Sequence, residues 1–223
     1  MSIISNYQEV RQKIQRLCAE IGKDVDDITL VAVSKTRPIE EIELLYQAGV
    51  RDFGENRVQE LVEKALLLPK DIRWHLIGHL QTNKVKQVIP FVYLIHSVDR
   101  MALVDEVEKQ SSKHGKITDI LLQMRVAEED TKMGCPPEEF GLLYEYAASH
   151  SHLNIRGCMT MATFTPDKLK IEREFHQFFH QIPARLKEKK NQIWSVGMSG
   201  DWETAIQSGS NLVRIGTAIF GER

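Results

Sequence analysis

The chain has 223 residues, enough to bury a full hydrophobic core in one domain. Lys and Arg total 29 against 31 Asp and Glu, so the formal net charge of −2 lacks the basic excess of a general nucleic-acid binder. Hydrophobic residues at 42% and charged residues at 27% exclude a disordered chain, and no apolar run reaches the ~18 residues of a membrane span. Glu9 and Arg11 interrupt the start before a signal-peptide core could form. Cys18, Cys135 and Cys158 are far apart, fit no zinc spacing, and suit a reducing cytoplasm better than a disulfide framework. A cytoplasmic location is expected.

Apolar runs and helical patterns alternate along the whole chain. Residues 4–22 read as an opening helix closed by Gly22, and 29–34 as a buried valine-rich strand. A helix follows Pro38 and closes at Gly49. Residues 51–54 form a short strand and 56–68 a helix stopped by Pro69. Residues 73–77 read as a strand, 83–89 as a helix ended by Pro90, and 92–96 as the fourth strand. Asp99 is the expected cap of a helix running to about His114. Residues 117–126 contain a strand and 127–135 a polar loop, and Pro136 and Pro137 open another helix. Residues 155–161 are the sixth strand, and a loop through Pro166 leads to a long helix over 168–188. Residues 193–196 form the seventh strand, 201–207 a helix, and 212–215 the last strand.

That is eight strand–helix units at a repeat of roughly 25 residues, which suits parallel strands with helical crossovers. The expected fold is a (β/α)8 TIM-type barrel spanning 1–223 as a single domain, with an additional N-terminal helix. An open doubly wound sheet is the alternative.

In such a barrel the chemistry sits at the C-terminal strand ends. Lys35 follows strand 1 and, by two-residue alternation, shares the inward face of Val31 and Val33. The loops after strands 7 and 8, which are the recurrent phosphate site of these barrels, read Gly197-Met198-Ser199-Gly200-Asp201 and Arg214-Ile215-Gly216-Thr217. Small residues there leave backbone N–H groups and helix starts open to an anion. Either loop alone is adequately explained as a cap or turn, and both falling at the expected strands is what points to phosphate. A lysine whose amine is kept neutral by desolvation or a neighbouring guanidinium can form a Schiff base with an aldehyde. Lysine plus phosphate site suggests pyridoxal 5′-phosphate (PLP) or a phosphosugar.

Six motifs, in order, carry a resemblance. They are Val31-Ala32-Val33-Ser34-Lys35-Thr36, Phe53-Gly54-Glu55-Asn56-Arg57, residues 75–84 beginning His75-Leu76-Ile77-Gly78-His79, Arg156-Gly157-Cys158-Met159-Thr160-Met161, residues 195–202 around Met198-Ser199-Gly200-Asp201, and residues 213–221 beginning Val213-Arg214-Ile215-Gly216-Thr217. Together they resemble the pyridoxal phosphate homeostasis proteins, relatives of the alanine-racemase-like PLP barrels. The resemblance implies a PLP imine on Lys35. It places Ser199, Gly200, Gly216 and Thr217 at the phosphate, Arg214 at the pyridine nitrogen and Asn56 at the ring, with His79 and Met198 lining the pocket. It implies a monomer that buffers, protects or delivers PLP to apo-enzymes, without a turnover reaction and without a nucleic-acid or membrane partner. Two departures stand out. Cys158 replaces a more usual leucine, and Met124-Arg125-Val126-Ala127 replaces a usual Val-Asn pair before Lys132-Met133-Gly134.

A PLP-dependent racemase and a phosphosugar lyase are the competing readings. Racemization needs a base on each face of the Cα. In the racemase relatives the second base is a tyrosine from a further β domain, for which the residues after strand 8 leave no room. Tyr7, Tyr46, Tyr93, Tyr144 and Tyr146 fall in predicted helices or within a strand. His75 and His79 lie on a strand and turn without a His-Glu-x-x-His pattern, and His176 and His180 read as a solvated helix face. Residues 216–221 imitate a Walker spacing, but Glu222 follows where lysine is needed.

Overall fold

Short apolar strands separated by amphipathic helices can bury both apolar surfaces in a parallel sheet rolled shut inside a ring of helices. The computed structural model, which describes residues 2–127 and 133–222, has this arrangement. Strands β1 (Thr29–Val33), β2 (Asp52–Glu55), β3 (Arg73–Leu76), β4 (Leu94–Val98), β5 (Thr118–Gln123), β6 (Leu153–Met159), β7 (Ile193–Ser195) and β8 (Leu212–Ile215) pair in sequence order, all parallel, and β8 closes onto β1. The helices are α1 (Ile3–Glu20), α2 (Ile39–Gln47), α3 (Val58–Leu67), α4 (Val85–Val88), α5 (Met101–Lys113), α6 (Pro137–Ala148), α7 (Lys168–Gln181), α8 (Ala184–Lys187), α9 (Trp202–Ser208) and α10 (Thr217–Phe220). Among the described residues no helix is long and apolar enough to cross a membrane.

Alternation along each strand sorts side chains into two sets. Leu30, Ala32, Phe53, Trp74, Leu76, Ile120, Leu122 and Val213 point outward and merge with the helices into one core. Val31, Val33 and Ile77 point inward, since a Cβ built on Gly54 would meet all three. Leu94, Leu121 and Met159 form a small separate apolar cluster inside the barrel. After β8 the chain makes only the single turn of α10, and α1 covers that side by packing against α10 and α2. Asn6 Nδ2 donates to Ile219 O at 3.0 Å, and Lys23 Nζ to Ile206 O at 3.0 Å.

Several predicted boundaries move. Pro183 splits the long helix into α7 and α8, because proline lacks the N–H that would continue the ladder. Asp99 does not cap α5: Arg100 occupies the cap position, and the Asp99 carboxylate accepts from Arg100 Nη1 at 2.6 Å. Residues 83–89 begin as a 3₁₀ turn over Thr82–Lys84 before α4. β4 starts two residues late and β6 two residues early, because ladder register decides strand ends, not apolar content. Tyr93 therefore lies before β4, with its ring 5.5 Å from that of His75. Residues 128–132 of the predicted polar loop, Lys132 included, lie outside the described residues.

Gly157 is fixed by packing. Its φ is +145°, and a Cβ there would lie 2.0 Å from Ile193 O across the β6–β7 pair. Gly157→Ala combines overpacking with a conformation that L-residues avoid. It should destabilise the chain by about 3 kcal/mol, read from the urea unfolding midpoint. A loss under about 0.5 kcal/mol, the range of inert surface changes, would contradict this close approach.

Candidate functional site

A cavity of about 460 Å³ opens at the C-terminal end of the barrel, within the size range of small-molecule sites. It gathers all nine residues singled out in the sequence. Lys35 follows β1, Asn56 follows β2 and His79 lies beyond β3; Met198, Ser199 and Gly200 follow β7; Arg214 comes from β8, and Gly216 and Thr217 lie just after it. Gly78 lets the loop after β3 lie against Asn56, since a Cβ would sit 2.3 Å from Asn56 O. The wall on the β5–β6 side was not singled out: Gln123, Met161, Thr163 and Phe164 also line the cavity. Gln123 and Met161 could have been found by the strand-end rule that found Lys35. Thr163 could not, because its place is set by Glu174 on α7. That carboxylate accepts from Thr163 N at 2.7 Å and from Thr163 Oγ1 at 2.6 Å.

The turn that carries Lys35 is held from the helix side. Thr36 adopts φ +65°, a left-handed conformation costly for a β-branched residue. Its N–H donates to Glu60 Oε1 at 2.6 Å, and Arg37 N donates to Ser34 O at 3.0 Å. Lys64 of α3 ties these pieces together. Its ammonium donates to Ser34 O at 2.8 Å, Glu55 Oε1 at 2.7 Å and Glu60 Oε1 at 2.7 Å, satisfying all three donors. Ser34 Oγ donates to the same Glu55 oxygen at 2.6 Å, while Glu55 Oε2 is buried without a partner. Burial pushes the Glu55 carboxyl up to about 7 against the pull of Lys64.

Beside the Lys35 turn, the loops after β7 and β8 bring two helix starts to the cavity. Ser199 and Gly200 precede α9, and Gly216 and Thr217 begin α10. The first N–H groups of a helix have no partner within it. A Cβ on Gly200 would meet nothing within 4 Å, so the cavity reaches the backbone there. Gly216 packs against β1, with a Cβ position 3.2 Å from Val33 O. The Asp201 carboxylate accepts from Met198 N at 2.6 Å and closes the turn; burial raises its pKa.

Arg214 supplies positive charge beneath these loops. In register it lies beside Val31, below Lys35. Its Nη1 donates to Ser195 O at 2.6 Å and to Ser195 Oγ, and its Nη2 to Thr160 O at 3.0 Å. Burial brings its pKa down to about 10, so it remains a cation at neutral pH.

The other sequence signals fall away from the cavity. Cys158 points outward into the helix-side core, and burial pushes its thiol well above the usual range. His176 and His180 lie exposed on α7, and among the described residues no cluster of three metal-ligating side chains occurs. No tyrosine among the described residues lines the cavity.

Residues 5–223 match the model of the alanine racemase N-terminal domain. A pyridoxal phosphate homeostasis protein of Aquifex aeolicus is 37% identical over 227 residues, covering 100% of this chain and 99% of that one. The chain belongs to the pyridoxal phosphate homeostasis protein family. Two solved structures share the barrel of the family member described here. A protein from Bifidobacterium adolescentis has a TM-score of 0.91 at 32% identity, covering 98% of this chain and 94% of that one. PipY of Synechococcus elongatus, solved with PLP bound, has a TM-score of 0.79 at 31% identity, covering 93% and 99%.

In this family member the Lys64–Glu55 cluster makes stability depend on pH. The folded state holds the Glu55 proton at a pKa of about 7, above the ordinary 4.5 of the unfolded chain. The resulting stabilisation is complete below the unfolded value and is lost as pH rises through the folded one. Glu55 alone should make the protein about 2 kcal/mol less stable at pH 8 than at pH 5.5. Urea unfolding of Glu55→Gln should show that much less decline than the wild type; an identical decline would remove Glu55 as its source.

Proposed function

We propose that this chain binds PLP in the barrel-mouth cavity and acts in its homeostasis, holding, protecting and handing over the cofactor. One observation carries the reading. Nine residues chosen from separate sequence motifs converge on one cavity, with an amine, the loops that would cradle an anion beside it and a cation beneath. Bound there, PLP supplies an aldehyde carbon open to amines and a ring able to draw electrons from them.

The chain's own residues divide the work. Lys35 is the covalent anchor: its amine condenses with the aldehyde to form an imine and release water. Ser199, Gly200, Gly216 and Thr217 hold the phosphate through hydroxyl and backbone N–H donors. Asn56 contacts the ring, and His79 and Met198 border it. Arg214 donates toward the pyridine nitrogen and, as a permanent cation, keeps that nitrogen unprotonated. A ring so held is a poor electron sink, which disfavours decarboxylation and transamination. The mouth is open: Phe164 at its rim is 98% exposed, and Gly200 and Thr217 are exposed too. An open mouth admits water and lets the cofactor exchange, which suits delivery to apo-enzymes better than turnover.

Borohydride reduction followed by peptide mass mapping should place the adduct on Lys35, and Lys35→Ala should lose the imine absorbance. An adduct on Lys84 would overturn the anchor. Loaded protein should pass PLP to an apo-enzyme and show no turnover with L- or D-amino acids. Sustained racemization that disappears in Lys35→Ala would replace the carrier reading with an enzyme.

The phosphate cradle makes a second, separate claim. Each charge-assisted hydrogen bond there is worth about 1.5–3 kcal/mol. Pyridoxal, which lacks the phosphate, should bind at least ~100-fold more weakly than PLP by calorimetry. Equal affinities would refute the cradle.

A further inference from the structure

Beneath the cavity, the barrel interior holds a line of polar side chains where apolar branched residues usually fill the space. Asp52 of β2, His75 of β3, His96 of β4, Ser195 of β7 and Arg214 of β8 each contribute one side chain. The two histidines, Ser195 and Arg214 are all buried. Asp52 Oδ1 lies 3.0 Å from His75 Nε2, His75 Nδ1 lies 2.9 Å from His96 Nε2, and His96 Nδ1 lies 2.9 Å from Ser195 Oγ. Arg214 Nη1 completes the line on Ser195 Oγ. At the other end Asp52 also receives Arg73 Nε at 2.7 Å, on the rim opposite the cavity.

The two ends fix every proton between them. A guanidinium can only donate, so Ser195 Oγ accepts from Arg214 and its own hydrogen must go elsewhere. His96 Nδ1 is the acceptor within reach, which leaves the His96 hydrogen on Nε2. That hydrogen points at His75 Nδ1, so His75 also carries its hydrogen on Nε2 and gives it to Asp52. The Asp52 carboxylate accepts at the far end, where hydrogen bonds from His75 and Arg73 favour its ionised form. All four bonds therefore run one way, from Arg214 to Asp52. Burial lowers the His96 pKa well below the usual imidazole range, in keeping with a neutral ring.

We propose that Asp52, His75, His96 and Ser195 are positioning residues that act through Arg214, fixing its orientation and holding it as a donor toward the cavity. The ligand side of this statement rests on the PLP reading above; the tautomers do not. Among the described residues Arg214 makes no ion pair; its three acceptors are the Ser195 and Thr160 carbonyls and the Ser195 hydroxyl. Three of its five N–H groups are spent on them, and the remaining two, Nε–H and one on Nη2, are what it can offer a ring nitrogen. Hydrogen bonds in a chain polarise one another, so loss of the Asp52 charge weakens the hold on Arg214 four bonds away.

Two experiments decide it. In the wild-type chain without cofactor, long-range ¹H–¹⁵N spectra of the imidazoles should show hydrogen on Nε2 and a bare Nδ1 in both His75 and His96. Hydrogen on Nδ1 of either ring overturns the column. In Asp52→Asn, whose amide oxygen can still accept from His75, the Arg214 Nε–H resonance should move, and PLP should bind about threefold to tenfold more weakly. Ser195→Ala, at the near end, should do the same more strongly. A merely structural column predicts a lower melting temperature with an unmoved Arg214 resonance and unchanged PLP affinity, and that result in folded Asp52→Asn overturns the proposal. Wild-type protein that takes up no PLP would sink the cofactor reading, whereas Nδ1–H rings would sink the column with PLP binding intact.

Discussion

Closure of β8 onto β1 is the constraint on which the rest of the molecule depends. The register runs from Thr29 against Leu212 to Ala32 against Ile215, four consecutive pairs between the first and last strands. It brings the Lys35 turn beside the Gly216 turn, so close that Gly216 has little room for a side chain against Val33. Lys35 and the Gly216–Thr217 turn, almost a full chain apart in sequence, become neighbours only through this seam. The helix layer reinforces it: α1, from the start of the chain, packs on α10 at its end and on α2 beside it. On the proposed reading, the two-point anchor for an aldehyde and its phosphate is thus a property of the closed barrel and not of either loop.

Buried charge flanks that seam on both sides. On the helix side, Lys64 binds Glu55, Glu60 and the Ser34 carbonyl. On the inner side, Arg214 heads the polar line to Asp52. Buried ion pairs and networks are poor sources of net stability, because desolvation offsets their attraction. Apolar residues would fill either space at less cost, and the barrel does so around Leu94, Leu121 and Met159. Both polar clusters touch the segments that present Lys35 and Arg214 to the cavity. Their placement is that of a scaffold that gives up packing energy to fix two groups lining the cavity.

How far the sequence could be read follows from how local each signal is. The strand ends were legible because a lysine, a Ser-Gly or a Gly-Thr at the end of an apolar run is visible within a few residues. The barrel was legible because eight units repeat at nearly even spacing. The polar column was not. Asp52, His75, His96 and Ser195 are single polar residues on four strands, each an ordinary satisfied core residue by itself, and only closure joins them. The inward alternation that placed Lys35 also marks all four, so the signal was present but unconnected. His75 has no chain neighbour that reveals its role, because its partner lies a strand away in β4. Thr163 was invisible for a different reason, since a helical glutamate eleven residues later holds it. The split at Pro183 was legible in the residue itself and lost to the apolar period around it.

The choice of an arginine beneath the cavity links chemistry to exchange. A carboxylate there would protonate a pyridine nitrogen and make the ring an electron sink, useful to an enzyme that must stabilise a carbanion. On the proposed reading a guanidinium removes that option and adds a positive charge that attracts the anionic cofactor into the mouth. Burying that charge is costly, and burial lowers the Arg214 pKa against the opposing field of the Asp201 carboxylate. The polar line supplies an acceptor through Ser195 and runs to Asp52, which pairs with Arg73 at the opposite rim. A carboxylate in direct contact would satisfy the arginine but cancel the field that an anionic ligand feels. Relayed through two imidazoles and a hydroxyl, the arginine is anchored and its charge is left facing the cavity. On the proposed reading this suits a protein that must capture PLP, leave it chemically quiet and release it through an open mouth.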